Sequence, residues 1–158
     1  MTKHLFLDID GVLNTDDFLR RGRAAKAWDV YPADYGYMID PFHVGILKSV
    51  IDECKGVQVI LSSAWRIIPG VIETSKILRE AGMGSGFSFA GETPSNGRRG
   101  QAIKEYLDER KIDPAGICIL DDNTDIDPLK HRWVRTLPNE GLTPEKAAQV
   151  IDMLKGML

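Results

Sequence analysis

The sequence has few cysteines, no long apolar run and little net charge, and each shortage excludes a class of protein. Its 158 residues include 2 cysteines, Cys54 and Cys118, which are too few for a disulfide framework and favour a reducing compartment. The apolar runs are too short for a signal peptide or a membrane span, so we expect a cytoplasmic protein without membrane contact. The formal net charge of −3 indicates no overall affinity for nucleic acid or membranes.

What the sequence does contain is an alternation of short apolar runs and helix-period segments. Strands are predicted at 4–7, 57–61 and 117–120, with shorter strands around 87–90 and from Val134. Helices are predicted at 41–54, 71–80, 101–110 and 143–154. This order predicts an α/β fold: a three-layer, doubly wound Rossmann-like domain with a mainly parallel five-stranded sheet. We expect one domain over residues 1–158, with a polar, aromatic and irregular flap at about 14–40.

Polar side chains follow the three long predicted strands at the points where these strands end. Asp8 and Asp10 follow the first strand, Ser62 follows the second, and Asp121 and Asp122 follow the third. Ligand sites of open α/β sheets lie at the carboxyl ends of the strands, so these side chains converge if the three strands are neighbours. Crowded carboxylates repel one another unless a cation lies among them, and an all-oxygen cluster suits Mg²⁺.

Four segments resemble, in order, the four signatures of the haloacid dehalogenase (HAD) superfamily. The sequence LDIDGV at 7–12 resembles the first signature, and ILS at 60–62 resembles the second. Arg99, at the start of a helix, lies in the place of the third signature's basic residue, and ILDD at 119–122 is similar to the fourth. Together the signatures span most of the chain.

Two positions depart from the usual pattern or leave a choice open. The basic residue is an arginine where lysine is commoner, and Arg98 beside Arg99 is an alternative candidate. The second acid of the fourth signature is either Asp122 or Asp125, because the segment fits two variants of that signature.

The resemblance implies a Mg²⁺-dependent phosphatase with a covalent intermediate. It implies that Asp8 attacks phosphorus and becomes an aspartyl-phosphate, while Asp10 protonates the leaving oxygen and then activates water. The implied phosphate-binding residues are Ser62, Arg99, Gly11 and Ser63. The implied Mg²⁺ ligands are Asp8, Asp10 through its backbone carbonyl, Asp121 and Asp122.

The two segments in which HAD phosphatases often carry an inserted lid domain are short in this sequence. Residues 14–40 number 27 and residues 63–98 number 36, so we expect no large cap. The pattern resembles a small capless branch with relatives associated with nucleic-acid end repair. A phosphorylated substrate, such as a nucleotide or a nucleic-acid end, is therefore the expected partner. Basic residues in the flap are followed by aromatic ones that could stack on bases: Arg20, Arg21, Arg23 and Lys26, then Trp28, Tyr31, Tyr35 and Tyr37.

Several alternatives remain open from the sequence. The substrate could be a small phosphometabolite, with the flap aromatics merely packing on the core. A two-metal nuclease also needs clustered carboxylates, and a phospho-acceptor module without catalysis could use the same fold. Trp65 and Arg66 follow the second strand and could reach the site, although tryptophan at such a position is more typical of the core.

Overall fold

The computed structural model describes residues 1–25, 35–94 and 97–157, without the side chains of residues 23–25. Lys26, Trp28 and Tyr31, which the sequence analysis placed in the flap, lie outside the described residues, as does the side chain of Arg23.

Within the described residues, five strands form one parallel sheet in the order β3-β2-β1-β4-β5. The strands are β1 (His4–Leu7), β2 (Gln58–Leu61), β3 (Gly91–Glu92), β4 (Ile117–Asp121) and β5 (Trp133–Arg135). Leu7 of the central strand pairs with Leu61 on one side and with Leu120 on the other. The three central strands therefore end at the same level, which confirms the predicted neighbourhood of their terminal polar residues.

Helices cover both faces of this sheet and produce the three predicted layers. They are α1 (Asp16–Ala25), α2 (Pro41–Glu53), α3 (Val71–Leu78), α4 (Arg99–Arg110) and α5 (Pro144–Leu154). Leu5 and Leu7 lie in one buried core with apolar residues of α2, α3 and α5. Phe6 lies in a second core with residues of α4. Successive side chains of β1 therefore point into two different cores, as expected for a strand buried on both faces.

Two local predictions were wrong. The short strand predicted around 87–90 lies instead at 91–92, where it forms the edge strand β3. Phe87 and Phe89 pack edge to face with ring centroids 5.1 Å apart, and they pack against the core from a loop. Residues 16–25 form α1, although the segment was expected to be irregular. The exposed face of α1 is charged, and Asp17 forms ion pairs with both Arg20 and Arg21 one turn later. Such pairs stabilise a helix, but they are not detected by a search for apolar periodicity.

The absence of a large cap is confirmed for the described residues. The first insertion point holds α1 and a short 3₁₀ turn at Tyr35–Met38, and the second holds the 3₁₀ turn Ala64–Arg66 and α3. Every helix in the described ranges is too short or too polar to cross a bilayer.

Candidate active site

The residues at the carboxyl ends of the three central strands meet at one point. The Asp8 N–H donates to the Leu120 carbonyl at 3.0 Å, and the Ser62 N–H donates to the Leu7 carbonyl at 2.8 Å. These bonds continue the sheet ladder by one step past the strand ends. Asp8, Ser62 and Asp121 are consequently fixed by backbone bonding, and each is at most 5% exposed.

Arg99 joins the three strand ends through one nitrogen atom. Its Nη1 lies 2.9 Å from Asp121 Oδ2 and 3.3 Å from Asp8 Oδ1, and it also donates to the Ser62 carbonyl. Arg98 is exposed at the N-cap of α4. Of the two candidate arginines, the structure therefore brings Arg99 into the site.

Gly100 explains how the start of α4 comes so close to the site. Its N–H donates to the Asp125 carbonyl at 2.9 Å. A Cβ atom on Gly100 would lie 2.2 Å from the carbonyl oxygen of Asp127, so only glycine permits this approach. Asp125 thus contributes its backbone to the anchoring of α4.

An acidic cluster of Asp8, Asp121 and Asp122 lies beside Arg99. One carboxylate oxygen from each of these residues lies within 4.8 Å of the others. Gly11 permits the approach of Asp122, because a Cβ atom on Gly11 would lie 2.2 Å from Asp122 Oδ2. Gly11 also has a φ of +79°, which favours glycine. Of the two candidate acids in the fourth signature, the structure brings Asp122 into the cluster.

The electrostatics of this cluster disfavour the simultaneous ionisation of its three carboxyl groups. Burial raises the pKa of Asp8 to about 7, the negative charge of Asp121 adds to this rise, and Arg99 opposes it. Burial also raises the pKa of Asp122 to about 7, with further contributions from Asp8. For Asp121, burial raises the pKa and Arg99 counteracts it. The single arginine thus does not balance the cluster, and an additional cation would favour full ionisation.

The chemistry of the cluster fits a magnesium ion. Its donors are all carboxylate oxygens, which hard divalent cations prefer, and they converge closely enough to share one ion. The carboxylate of Asp10 lies outside this cluster, which leaves its backbone carbonyl as the group that could contribute.

The Asp10 carboxylate is held by Trp65, which was expected either near the site or in the core, and by Asn14, for which no role was predicted. Trp65 Nε1 donates to Asp10 Oδ2 at 3.2 Å, and Asn14 Nδ2 donates to Asp10 Oδ1 at 3.0 Å. Asn14 is fully buried and also donates to the Met38 carbonyl at 2.9 Å. Asn14 follows Asp10 by one helical turn, but that spacing alone is too common to have revealed the contact.

Ser62 carries a polar atom without a partner. Its hydroxyl is buried and makes no hydrogen bond among the described residues. A buried hydroxyl left unpaired costs about 1–3 kcal/mol, so its retention beside Asp8 points to a ligand oxygen that would complete it.

Ser63 and Gly11 are engaged in local structure. The Ser63 hydroxyl accepts the Trp65 N–H at 3.2 Å and caps the following 3₁₀ turn. The Gly11 N–H donates to Asn14 Oδ1 at 2.9 Å, and the Gly11 carbonyl accepts from Thr136 Oγ1 at 2.8 Å. Both residues shape the site through its backbone.

In the described part of the flap, an acidic residue partly neutralises the basic side chains. Arg20 and Arg21 are exposed, and each lies 2.9 Å from a carboxylate oxygen of Asp17. Tyr35 packs edge to face on Trp65, with ring centroids 5.6 Å apart, whereas Tyr37 is 47% exposed.

Comparison with known proteins gives one family. The model of the HAD domain in Swiss Army Knife RNA repair proteins matches residues 4–147. The matched range runs from β1 into α5 and includes all the site residues described above. No curated protein and no solved structure matches the chain at a significant level.

Proposed function

The chain belongs to the family of HAD domains in Swiss Army Knife RNA repair proteins, which confirms the resemblance seen in its sequence, and on this basis we propose a Mg²⁺-dependent phosphomonoesterase. The observation that carries the proposal is the position of Asp8. It lies at the carboxyl end of the central strand, between Ser62 and Asp121, and Arg99 Nη1 is 3.3 Å from its Oδ1.

In the first step, Asp8 is the nucleophile. A carboxylate oxygen forms a bond to phosphorus while the bond between phosphorus and the leaving oxygen breaks. The Ile9 N–H, 2.8 Å from Asp8 Oδ1, and the Arg99 guanidinium orient the carboxylate through that oxygen. Asp10 donates its proton to the leaving oxygen, so the substrate departs as an alcohol.

In the second step, water cleaves the aspartyl-phosphate. Asp10, now ionised, removes a proton from the water as it attacks phosphorus, and the bond between phosphorus and Asp8 breaks to release inorganic phosphate. Trp65 and Asn14 hold Asp10 in place through N–H donors on both of its oxygens. These bonds fix the position of the carboxyl group that takes part in both proton transfers.

Charge on the transferring phosphoryl group is stabilised by the surrounding donors. The unpaired Ser62 hydroxyl donates to one phosphoryl oxygen, and Arg99 supplies positive charge. Asp8, Asp121 and Asp122, together with the Asp10 carbonyl, would hold Mg²⁺, which would neutralise charge between the anionic nucleophile and the anionic phosphate.

The substrate we propose is a phosphate monoester at a nucleic-acid end. Two observations support this choice over a small phosphometabolite. The family is named for RNA repair proteins, and no lid among the described residues would close over the site. A site without a lid admits a phosphate at the end of a large molecule.

The decisive experiment is a comparison of turnover with Mg²⁺ and after its removal with EDTA. The substrates are p-nitrophenyl phosphate, bis-p-nitrophenyl phosphate, a sugar phosphate, a nucleoside monophosphate and an oligonucleotide with a terminal phosphate. We expect hydrolysis of the monoesters, none of the bis-ester, and the highest kcat/KM for the oligonucleotide. Turnover of the bis-ester would favour the nuclease alternative, and no turnover of any ester would favour a phospho-acceptor module.

A further inference from the structure

A small cavity adjoins the catalytic residues on the side of Arg99. Its volume is about 180 Å³, and its lining includes Arg66, Arg99, Ile67 and Asn123. Arg66 and Ile67 also line a neighbouring cavity of about 340 Å³. We call the smaller space the Arg66 cavity. Arg99 lines the Arg66 cavity and also contacts Asp8, so one side chain connects this cavity to the proposed nucleophile.

Arg66 brings to this cavity a positive charge that forms no ion pair with any described carboxylate. Its guanidinium donates to two neutral acceptors, the Ser63 carbonyl at 2.5 Å and the Pro94 carbonyl at 3.3 Å. No carboxylate of the described residues lies within 4.0 Å of it, and its Nε is buried without a partner. Burial and the positive charge of nearby Arg99 lower the pKa of Arg66, and the more distant charges of Glu92 and Asp8 offset this only in part. A partly buried cation held in this way is stabilised by an anion.

Other groups around the cavity are compatible with an anion. The cavity borders the N-terminal end of α4 at Gly97 and Arg99, where the helix dipole adds partial positive charge, although the Gly100 N–H is already bonded to the Asp125 carbonyl. Asn123 Oδ1 accepts the Asp125 N–H at 2.9 Å, so its NH₂ group is the end available as a donor. Asp125 also lines the cavity and is the acidic exception.

We propose that the Arg66 cavity binds a second phosphate group of the substrate, next to the phosphate that Asp8 attacks. This inference rests on the proposed function and makes it more specific. The preferred substrate carries a phosphodiester beside its terminal phosphate, as a dinucleotide or longer strand does and a mononucleotide does not. Arg66 is then the residue that distinguishes a strand end from a single phosphorylated nucleotide.

The test measures binding, so that it does not depend on turnover. The Asp8→Asn protein with Mg²⁺ is titrated with dinucleotides phosphorylated at the 3′ or the 5′ end. Each dinucleotide is made with an ordinary phosphodiester linkage and with an uncharged methylphosphonate linkage. We expect the charged linkage to bind about tenfold more tightly for at least one end, as one charge-assisted contact provides. Adding Arg66→Gln, which keeps a donor but removes the charge, should reduce this ratio to about one.

Two further variants make the result specific to the cavity. Lys104→Gln removes an equally positive charge from the exposed face of α4, where Lys104 pairs with Asp108, and should leave the ratio unchanged. Ile67→Glu places a negative charge in the cavity at a residue that is 58% exposed, so folding is preserved even if Arg66→Gln unfolds. It should reduce the ratio, and Ile67→Gln should not.

The outcomes separate this inference from the proposed function. Equal binding of charged and uncharged linkages at both ends overturns the inference, as does a preference that survives both Arg66→Gln and Ile67→Glu. The proposed function is tested independently by hydrolysis of p-nitrophenyl phosphate by the unmodified protein. If the protein hydrolyses p-nitrophenyl phosphate but shows no preference for the charged linkage, the proposed function stands and only the second-phosphate site is refuted.

Discussion

Trp65 Nε1 donates a hydrogen bond of 3.2 Å to Oδ2 of Asp10, a residue 55 positions earlier in the chain. The bond joins the turn after β2 to the loop after β1. Tyr35, at the end of the flap, packs edge to face on the same indole. The orientation of the proposed acid–base residue therefore depends on packing between three separate segments.

Replacing Trp65 with phenylalanine should slow the reaction most for poor leaving groups. The substitution keeps an aromatic ring beside Tyr35 but removes the N–H that holds Asp10, so proton transfer is less well oriented. We expect kcat for an alkyl phosphate to fall by about tenfold or more, and kcat for p-nitrophenyl phosphate, whose leaving group needs little protonation, to fall much less. Equal losses for the two substrates would contradict a positioning role for Trp65.

Asp8→Asn should abolish turnover while the protein remains folded, because an amide is not an effective nucleophile toward phosphorus. Asp10→Asn should be severely slowed, yet it should still form and trap phospho-enzyme from a substrate with a good leaving group. Single-turnover assays with intact-protein mass spectrometry distinguish the two variants. Substantial Mg²⁺-dependent activity in folded Asp8→Asn would refute Asp8 as the nucleophile.

Without Mg²⁺, the free energy of unfolding should fall as the pH rises from about 4 to about 7. The pKa of Asp8 is raised from 3.8 to about 7, and that of Asp122 likewise, so in this window the folded state holds protons that the unfolded state has lost. Mg²⁺ requires ionised carboxylates, so it should stabilise strongly at about pH 8 and weakly at about pH 5. Thermal melts with EDTA and with Mg²⁺ measure this difference.

The matching control for that experiment is Asp122→Asn, which removes one of the two strongly shifted carboxylates. Its stability should depend less on pH in EDTA, and Mg²⁺ should raise its Tm less. Mg²⁺ stabilisation of the unmodified protein that is the same at both pH values would be evidence against a site made of these carboxylates.

Asp122 and Asp125 should differ in their effect on the metal requirement. The Asp122 carboxylate lies in the cluster with Asp8 and Asp121, whereas Asp125 anchors α4 through its backbone carbonyl. Asp122→Asn should raise the Mg²⁺ concentration for half-maximal activity by about tenfold, as the loss of one charged ligand implies. Asp125→Asn should leave that concentration unchanged. A metal titration of both variants with p-nitrophenyl phosphate decides between them.

Gly100→Ala and Gly45→Ala should have opposite effects on stability. At Gly100 the added methyl group would collide with the carbonyl oxygens of Ile126 and Asp127, so we expect a loss of about 1–3 kcal/mol or more. At Gly45, inside α2, a Cβ atom meets nothing within 4 Å, so alanine should stabilise the helix by about 0.5–1 kcal/mol. Chemical denaturation measures both changes. A destabilised Gly45→Ala would show that Gly45 is needed for the packing of α2.

Local sequence pattern determined the parts of this protein that depend on neighbouring residues. Continuous apolar runs predicted the three central strands, because strands buried on both faces need apolar residues at successive positions. Polar residues directly after those runs located Asp8, Ser62 and Asp121 at one edge of the sheet, and the HAD resemblance followed from their order. Short, weakly patterned elements were beyond this approach: α1 has a polar surface, and β3 at 91–92 has only two residues.

Tertiary structure alone decided between residues that the sequence left equivalent. Arg99 and not Arg98 reaches Asp8, because Gly100 lets the start of α4 approach the loop at 126–127. Asp122 and not Asp125 joins the acidic cluster, because Gly11 leaves room for its carboxylate. The contacts of Trp65 and Asn14 with Asp10 depend on how separate segments pack. Local pattern records the period and polarity of a segment, whereas these choices depend on distances between segments that only the packed chain defines.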